Sequence, residues 1–158
     1  MALADVSLVK QAGLMLPSTI KCQVQAGATN IKAGEPVKAS STYVIPSADA
    51  EPVTSAPTFV GIAMTTSTET ASVDGIVDVL PPLAGVVFEA SAKSSTAANT
   101  DAKIAALVGS LVLFDLTSGS YTVDTAATNS ANGLRIVGGD SSKNKVHFVI
   151  RQGATIFA

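Results

Sequence analysis

Apolar and polar residues alternate over short segments along most of the chain, with the period expected of β-strands. In residues 20–25, Ile20, Cys22 and Val24 fall on one side and the polar residues on the other. Comparable segments recur with turn residues every ~8–12 positions, which predicts about nine or ten short strands. That spacing is typical of an all-β sandwich or barrel.

The strand pattern occurs twice in the same order. Each copy has a glycine that opens a strand, a tyrosine strand, a strand with Val-Gly and an alternating closing strand. The copies cover 34–38, 43–45, 59–62 and 76–79, then 109–113, 121–123, 136–138 and 146–149. We expect a compact, tulip-like β-barrel or β-sandwich built from two similar units. Tyr43 and Tyr121 are predicted to be equivalent packing positions, and Gly61 and Gly138 to be matched sites of close backbone approach.

Residues 1–19 stand apart from this pattern, and Pro17 interrupts any helix there. We predict an N-terminal arm at 1–19 and a single all-β domain at 20–158. Within it, 20–90 is the first β unit, 91–108 a polar linker and 109–158 the second β unit, with one short helical turn at 103–108. Removing residues 1–16 is expected to weaken attachment to a partner more than folding.

Composition narrows the range of partners. Charged residues make up 14% of the chain and mean hydropathy is +0.41, so the apolar surplus must lie in the core or in a subunit interface. No apolar run approaches the ~18–20 residues of a membrane helix, which argues against a membrane partner.

The net charge of −2 and the pI near 5.2 argue against a nucleic-acid partner, because a protein that binds nucleic acid usually has a basic surface. No secretory signal is predicted at the N-terminus, so synthesis in a cytoplasm is expected.

Residues with catalytic potential are few and scattered. The chain has one histidine, His147, and one cysteine, Cys22, so neither a Cys/His zinc site nor an internal disulfide is expected. His147 is predicted to be a surface or interface residue, and Cys22 a small buried one. Asp74 and Asp78 would lie about 13 Å apart along one strand face, too far to share a proton or a metal ion.

Ligand-binding motifs are also missing from the sequence. The Asp140-Ser141-Ser142 segment is only a weak candidate for a Ca²⁺ loop. There is neither a phosphate-binding glycine loop nor a stacked set of aromatic residues. We therefore assign no catalytic, cofactor-binding or metal-ligating residue, and we expect a protein that is not an enzyme and uses no cofactor.

The chain resembles the small decoration proteins, also called cement or head-stabilising proteins, of tailed-bacteriophage capsids. The residues that carry the resemblance are 31–37, 59–63, 80–82, 85–89, 109, 111–113 and 136–138. It implies an all-β fold, often trimeric, on the outer surface of the virion. The implied function is to stabilise the shell by bridging subunits of the major capsid protein, and the family has no catalytic residues to transfer. Residues 1–19 would correspond to segments that clamp neighbouring capsid subunits.

Two other functions are compatible with an all-β chain. A receptor- or glycan-binding module of a virion fibre or cell surface could use the Ser/Thr/Asn-rich loops, although aromatic residues are scarce. A small trimeric β hydrolase of the nucleotide pyrophosphatase type would need clustered acidic residues and a glycine-rich phosphate motif, and neither is present.

Overall fold

The computed structural model describes residues 6–10 and 18–157, except the side chains of Val9 and Lys10. It is 44% strand and 9% helix, which confirms the predicted all-β class. The strands are β1 (Val6–Lys10), β2 (Ile20–Val24), β3 (Pro36–Ser40), β4 (Tyr43–Pro46), β5 (Phe59–Ala63), β6 (Gly75–Leu80), β7 (Val87–Ser91), β8 (Leu111–Thr117), β9 (Ser120–Asp124), β10 (Leu134–Asp140) and β11 (Lys145–Ile150). The helical segments are α1 (Asp101–Leu107) and two 3-10 turns, Ser141–Lys143 and Gln152–Ala154.

The strands form two antiparallel sheets with the same internal order. The five-stranded sheet runs β2-β6-β5-β3-β4, and the six-stranded sheet runs β1-β7-β11-β10-β8-β9. When β1 is left out, the strand order of the six-stranded sheet is β7-β11-β10-β8-β9. This is the order of the five-stranded sheet with five added to each strand number. The duplicated pattern of the sequence therefore corresponds to a duplicated five-strand topology, with β1 as an added edge strand.

The boundary between the two units differs from the predicted one. Strand β7 was expected to end the first unit at residue 90, but it pairs with β11, with His147 opposite Glu89. It therefore belongs to the second unit, and the segment between the units is the Pro81-Pro82 turn that follows β6. Residues 91–108 lie inside the second unit.

Part of the predicted arm is a strand. Residues 6–10 form β1, which pairs with β7 and places Val6 opposite Ala90. The Val6 side chain is 2% exposed and belongs to the larger core, and its N–H donates to the Gly34 carbonyl. The remainder of the arm prediction, at 1–5 and 11–17, lies outside the described residues.

The helix is longer than the predicted turn at 103–108. Thr100 accepts a hydrogen bond from the Lys103 N–H and caps α1, as expected for a threonine at this position. The helix buries Ile104 in the larger core, so hydrophobic burial holds it against the second unit.

Two hydrophobic cores lie on opposite faces of the five-stranded sheet. The larger contains the aromatic side chains of the second unit: Phe88, Phe114, Tyr121 and Phe148. The smaller lies on the other face of the first unit and contains aliphatic residues alone: Val24, Ile31, Val37, Val44, Val60, Ala63, Val77 and Val79. Strand β5 contributes to both, since Phe59 and Ile62 join the larger core while Val60 and Ala63 join the smaller one.

The two Val-Gly positions are not structurally equivalent. A Cβ at Gly61 would lie 2.2 Å from the Leu80 carbonyl oxygen, whereas a Cβ at Gly138 would have only His147 Nδ1 nearby, at 3.7 Å. The strand register shifts near both glycines, but between different pairs of strands. The shift near Gly61 is between β5 and β3, and the shift near Gly138 is between β10 and β11. The close approach in the second unit is at Gly139, 2.5 Å from the Lys145 carbonyl oxygen. The predicted match of Gly61 with Gly138 is therefore wrong.

Replacing Gly61 with alanine is expected to destabilise the protein by about 3 kcal/mol, because the added methyl group would overlap backbone atoms of Leu80 that cannot move independently. Gly138→Ala is the matched control, since a Cβ there would have only His147 Nδ1 within 4 Å, at 3.7 Å, and the backbone of Gly138 is not in the left-handed region. Urea unfolding of both variants measures the difference. Equal stability of the two variants would contradict the packing described at Gly61.

Deleting residues 1–16 is expected to lower the melting temperature of the isolated protein, which revises the expectation drawn from the sequence. The deletion removes the buried Val6 side chain and the hydrogen-bonded edge that β1 gives to β7. Differential scanning calorimetry of the truncated and intact chains measures the change. An unchanged melting temperature would mean that β1 contributes nothing to the fold.

Candidate binding surfaces

His147 lies on the outer face of the six-stranded sheet, as its alternation with buried Val146 and Phe148 predicts. Its Nε2 is 3.4 Å from Glu89 Oε2. Lys145 Nζ donates to Glu89 Oε1 at 2.9 Å, and Ser7 Oγ donates to the same oxygen at 3.2 Å. One carboxylate therefore joins three neighbouring strands, β1, β7 and β11.

This arrangement is not that of a nucleophilic site. The Ser7 hydroxyl donates to Glu89 rather than to His147, so the contact between serine and histidine that activates a serine nucleophile is not formed at this position. The hydrogen bond from Lys145 is the main reason that the pKa of Glu89 lies below its usual value, despite partial burial, which raises it. Glu89 is thus held ionised as the acceptor of an ion-pair network that stabilises the sheet.

The other candidates from the sequence are separated and serve structural contacts. Asp78 pairs with Lys21 at 3.0 Å, and Asp74 accepts from the Ala26 N–H and the Tyr43 hydroxyl. Asp140 caps its own 3-10 turn and pairs with Lys143. Among the described residues, no group of three or more His, Cys, Asp or Glu side chains could hold a metal ion.

Cys22 lies on β2 with its side chain half-buried. Burial raises the pKa of its thiol. A reactive cysteine needs the opposite shift, from a basic neighbour or a helix N-terminus. Cys22 therefore has the environment of a packing residue.

Sequence reasoning missed an ion-pair cluster at the end of β7. Lys93 Nζ lies 2.7 Å from Asp115 Oδ1 and 3.0 Å from Asp124 Oδ2. The hydrogen bond from Lys93 is the largest effect on Asp115 and lowers its pKa. The three residues are far apart in the sequence, so no local motif marks them. Their role is to join β7 to the β8–β9 hairpin, beside the bridge between Ala92 and Val123.

The outer face of the six-stranded sheet also carries an apolar stripe, defined here as Val87, Val149, Leu111 and Leu113. These side chains are half-buried, and they alternate along their strands with residues of the larger core. Val137, in the β10 bulge on the same sheet, is 43% exposed. Apolar residues on the solvent side of a sheet are typical of protein-binding surfaces.

A cleft of about 350 Å³ lies in the five-stranded sheet, between its edge strands β2 and β4. Its apolar lining includes Ile20, Cys22, Ala39, Val44, Val60 and Phe157. The C-terminal segment reaches the cleft because Ile156 donates its N–H to the Phe59 carbonyl and Thr155 pairs with Phe59. A smaller cavity of about 130 Å³ lies beside β1 and is lined by Val6, Leu8, Met64 and Phe88, among others.

The tyrosines predicted to be equivalent occupy different positions. Both hairpins have two-residue turns, with Ser40 opposite Tyr43 and Thr117 opposite Ser120. Tyr43 is thus the first residue after its turn and Tyr121 the second. Because side chains alternate between faces, Tyr43 points outward to Asp74, while Tyr121 is buried and donates to the Ser47 carbonyl. The counterpart of Tyr121 in the first unit is Val44.

No protein-family model and no curated protein sequence matches this chain. Within the described residues, no helix is long and apolar enough to cross a membrane. Function is therefore inferred from the surfaces of the chain itself.

Replacing Glu89 with glutamine is expected to lower the melting temperature at pH 7 and to have a progressively smaller effect at acidic pH. The folded-state pKa of Glu89 is lowered, so its stabilising contribution is complete above the unfolded value near 4.5 and is lost as the pH falls through the folded-state value. Thermal unfolding of both proteins from pH 7 to pH 3 measures the difference between their melting temperatures. A difference that stays constant over this range would contradict the role given to the Glu89 carboxylate.

Proposed function

We propose that this chain is a structural virion protein that binds the outer surface of a bacteriophage capsid. It stabilises the shell by bridging subunits of the major capsid protein, and it associates with itself as a homotrimer. It has no catalytic step; its activity is to hold other proteins in place.

The apolar stripe on the six-stranded sheet is the observation that carries this proposal. Val87, Val149, Leu111 and Leu113 face away from a core that is already filled by four aromatic rings. An outward apolar strip is costly in water unless a partner covers it. The exposed Arg135 lies within the stripe, opposite Val149 on one side and Leu111 on the other. The Glu89 ion-pair network borders the stripe next to Val87 and Val149. An arginine among apolar side chains with a polar rim is a composition found in protein interfaces.

Rigidity is the second supporting feature. The two sheets share one core, and Phe114 packs against both Phe148 and Phe59, with ring centroids 5.5 Å and 6.4 Å apart. A protein that reinforces a shell must keep its binding surfaces at fixed separations under load. The resemblance of the strand motifs to capsid decoration proteins favours the same function.

The test is to mix the purified protein with undecorated capsids, then measure co-sedimentation and the temperature at which the shells release their contents. We expect stoichiometric binding and a higher release temperature. Val137→Glu is expected to weaken binding by about tenfold or more, because it places a charge in an apolar interface. Failure of the wild-type protein to co-sediment would contradict the proposal.

Val73→Glu is the matched control, since Val73 is 62% exposed but lies in the loop before β6, on the other sheet. It should bind as the wild type does. Multi-angle light scattering of the free protein is expected to give the mass of three chains. Equal loss of binding in both variants would show that the six-stranded sheet is not the attachment surface.

A further inference from the structure

The duplicated topology allows the interiors of the two units to be compared position by position from their hairpin turns. The fourth residue before the turn is Phe114 in the second unit and Val37 in the first. The second residue after the turn is Tyr121 in the second unit and Val44 in the first. Two aromatic rings of the second unit are thus replaced by valines in the first.

At a third equivalent position of the hairpins, the side chain is again smaller in the first unit than in the second. Tyr121 lies opposite Leu116, and Val44 lies opposite Ala39. In the second unit, the Tyr121 ring packs edge-on against Phe114, with centroids 6.2 Å apart. In the first unit, Ala39 and Val44 instead line the cleft of about 350 Å³. The cleft thus lies where the second unit holds an aromatic ring.

The edges of the two units differ as well. In the second unit, the chain leaving β7 closes the gap to β9, where the Lys93 N–H donates to the Val123 carbonyl at 2.9 Å. In the first unit, the chain leaving β2 turns away, and the Gly27 N–H donates to the Thr70 carbonyl. No ladder joins β2 to β4 within residues 18–157, so both strands remain edges of their sheet.

Edge strands beside an apolar pocket are the arrangement that binds extended peptides. The backbone of the peptide pairs with a free edge, and a pocket selects one of its side chains. Phe157 and Ile156 are 43% and 47% exposed at the cleft, which gives an incoming ring apolar surface to contact. Cys22 adds a sulfur atom, and sulfur atoms pack favourably against aromatic rings.

We propose that the cleft between β2 and β4 binds an aromatic side chain carried by an extended segment of a partner protein. The ring occupies the space that Tyr121 fills in the second unit, next to Val44 and Ala39, while the backbone of the segment pairs with an edge strand. This site is separate from the apolar stripe and does not depend on attachment to a capsid.

The sequence offers a direct assay because the chain contains no tryptophan. The probe is the acetylated, amidated peptide Thr-Val-Trp-Val-Thr, and its tryptophan emission reports burial without interference from protein tryptophan. We expect a saturable shift of the emission to shorter wavelength. The same peptide with alanine in place of tryptophan should not compete.

Val44→Phe is the blocking variant, since it introduces a ring of the size found in the second unit. It should weaken peptide binding at least about tenfold. Ser120→Phe is the matched control, because it adds the same ring at an exposed position of the other hairpin, and it should bind normally. Ala39→Leu, which copies Leu116, serves if Val44→Phe fails to fold.

A second measurement uses the unmodified protein. Cys22 is the only cysteine and lines the cleft, so saturating peptide should slow its alkylation by N-ethylmaleimide severalfold. The proposal is overturned if the peptide does not bind, if it binds equally to Val44→Phe and Ala39→Leu, or if free indole binds as tightly as the peptide. It is also overturned if light scattering shows that these variants abolish self-association, because the occupant would then be a second copy.

Discussion

The burial of β5 on both of its faces is the constraint on which the rest of the structure depends. Its five residues are all buried, with Phe59 and Ile62 facing the aromatic core and Val60 and Ala63 facing the aliphatic one. Such a strand cannot lie at a sheet edge or against solvent, so it fixes how the two sheets stack. Gly61 at its centre allows the backbone of Leu80 to approach, which keeps β6 paired at the point where both cores meet.

The same constraint makes the two units unequal. The outer side of the first unit covers the interior of the second, which is therefore filled with aromatic rings. Among residues 6–10 and 18–157, no third sheet covers the interior of the first unit, which is filled only by aliphatic residues beside an open cleft at the β2 and β4 edges. A duplicated fold thus provides two different surfaces, the apolar stripe on the six-stranded sheet and the cleft of the five-stranded sheet.

Strands could be predicted from the sequence more reliably than their partners could. Alternation located β2, β6 and β11 closely because each has one buried face. The assignment of β7 to the first unit failed because pairing with β11 depends on contacts more than 50 residues apart in the chain. The predicted equivalence of Tyr43 and Tyr121 was wrong because their positions in the two hairpins differ by one residue. An offset of one residue places a side chain on the opposite face of the sheet. The ion-pair cluster of Lys93 and the cleft exist only once the strands are paired, so no local pattern predicted either.

Electron cryomicroscopy of capsids incubated with this protein tests the central claim, that its surfaces serve to hold a shell together. The predicted result is ordered density on the outer surface, spanning adjacent capsid subunits, with the outer face of the six-stranded sheet toward the shell. Capsids that stay bare, or density in which that face is turned to solvent, would contradict it.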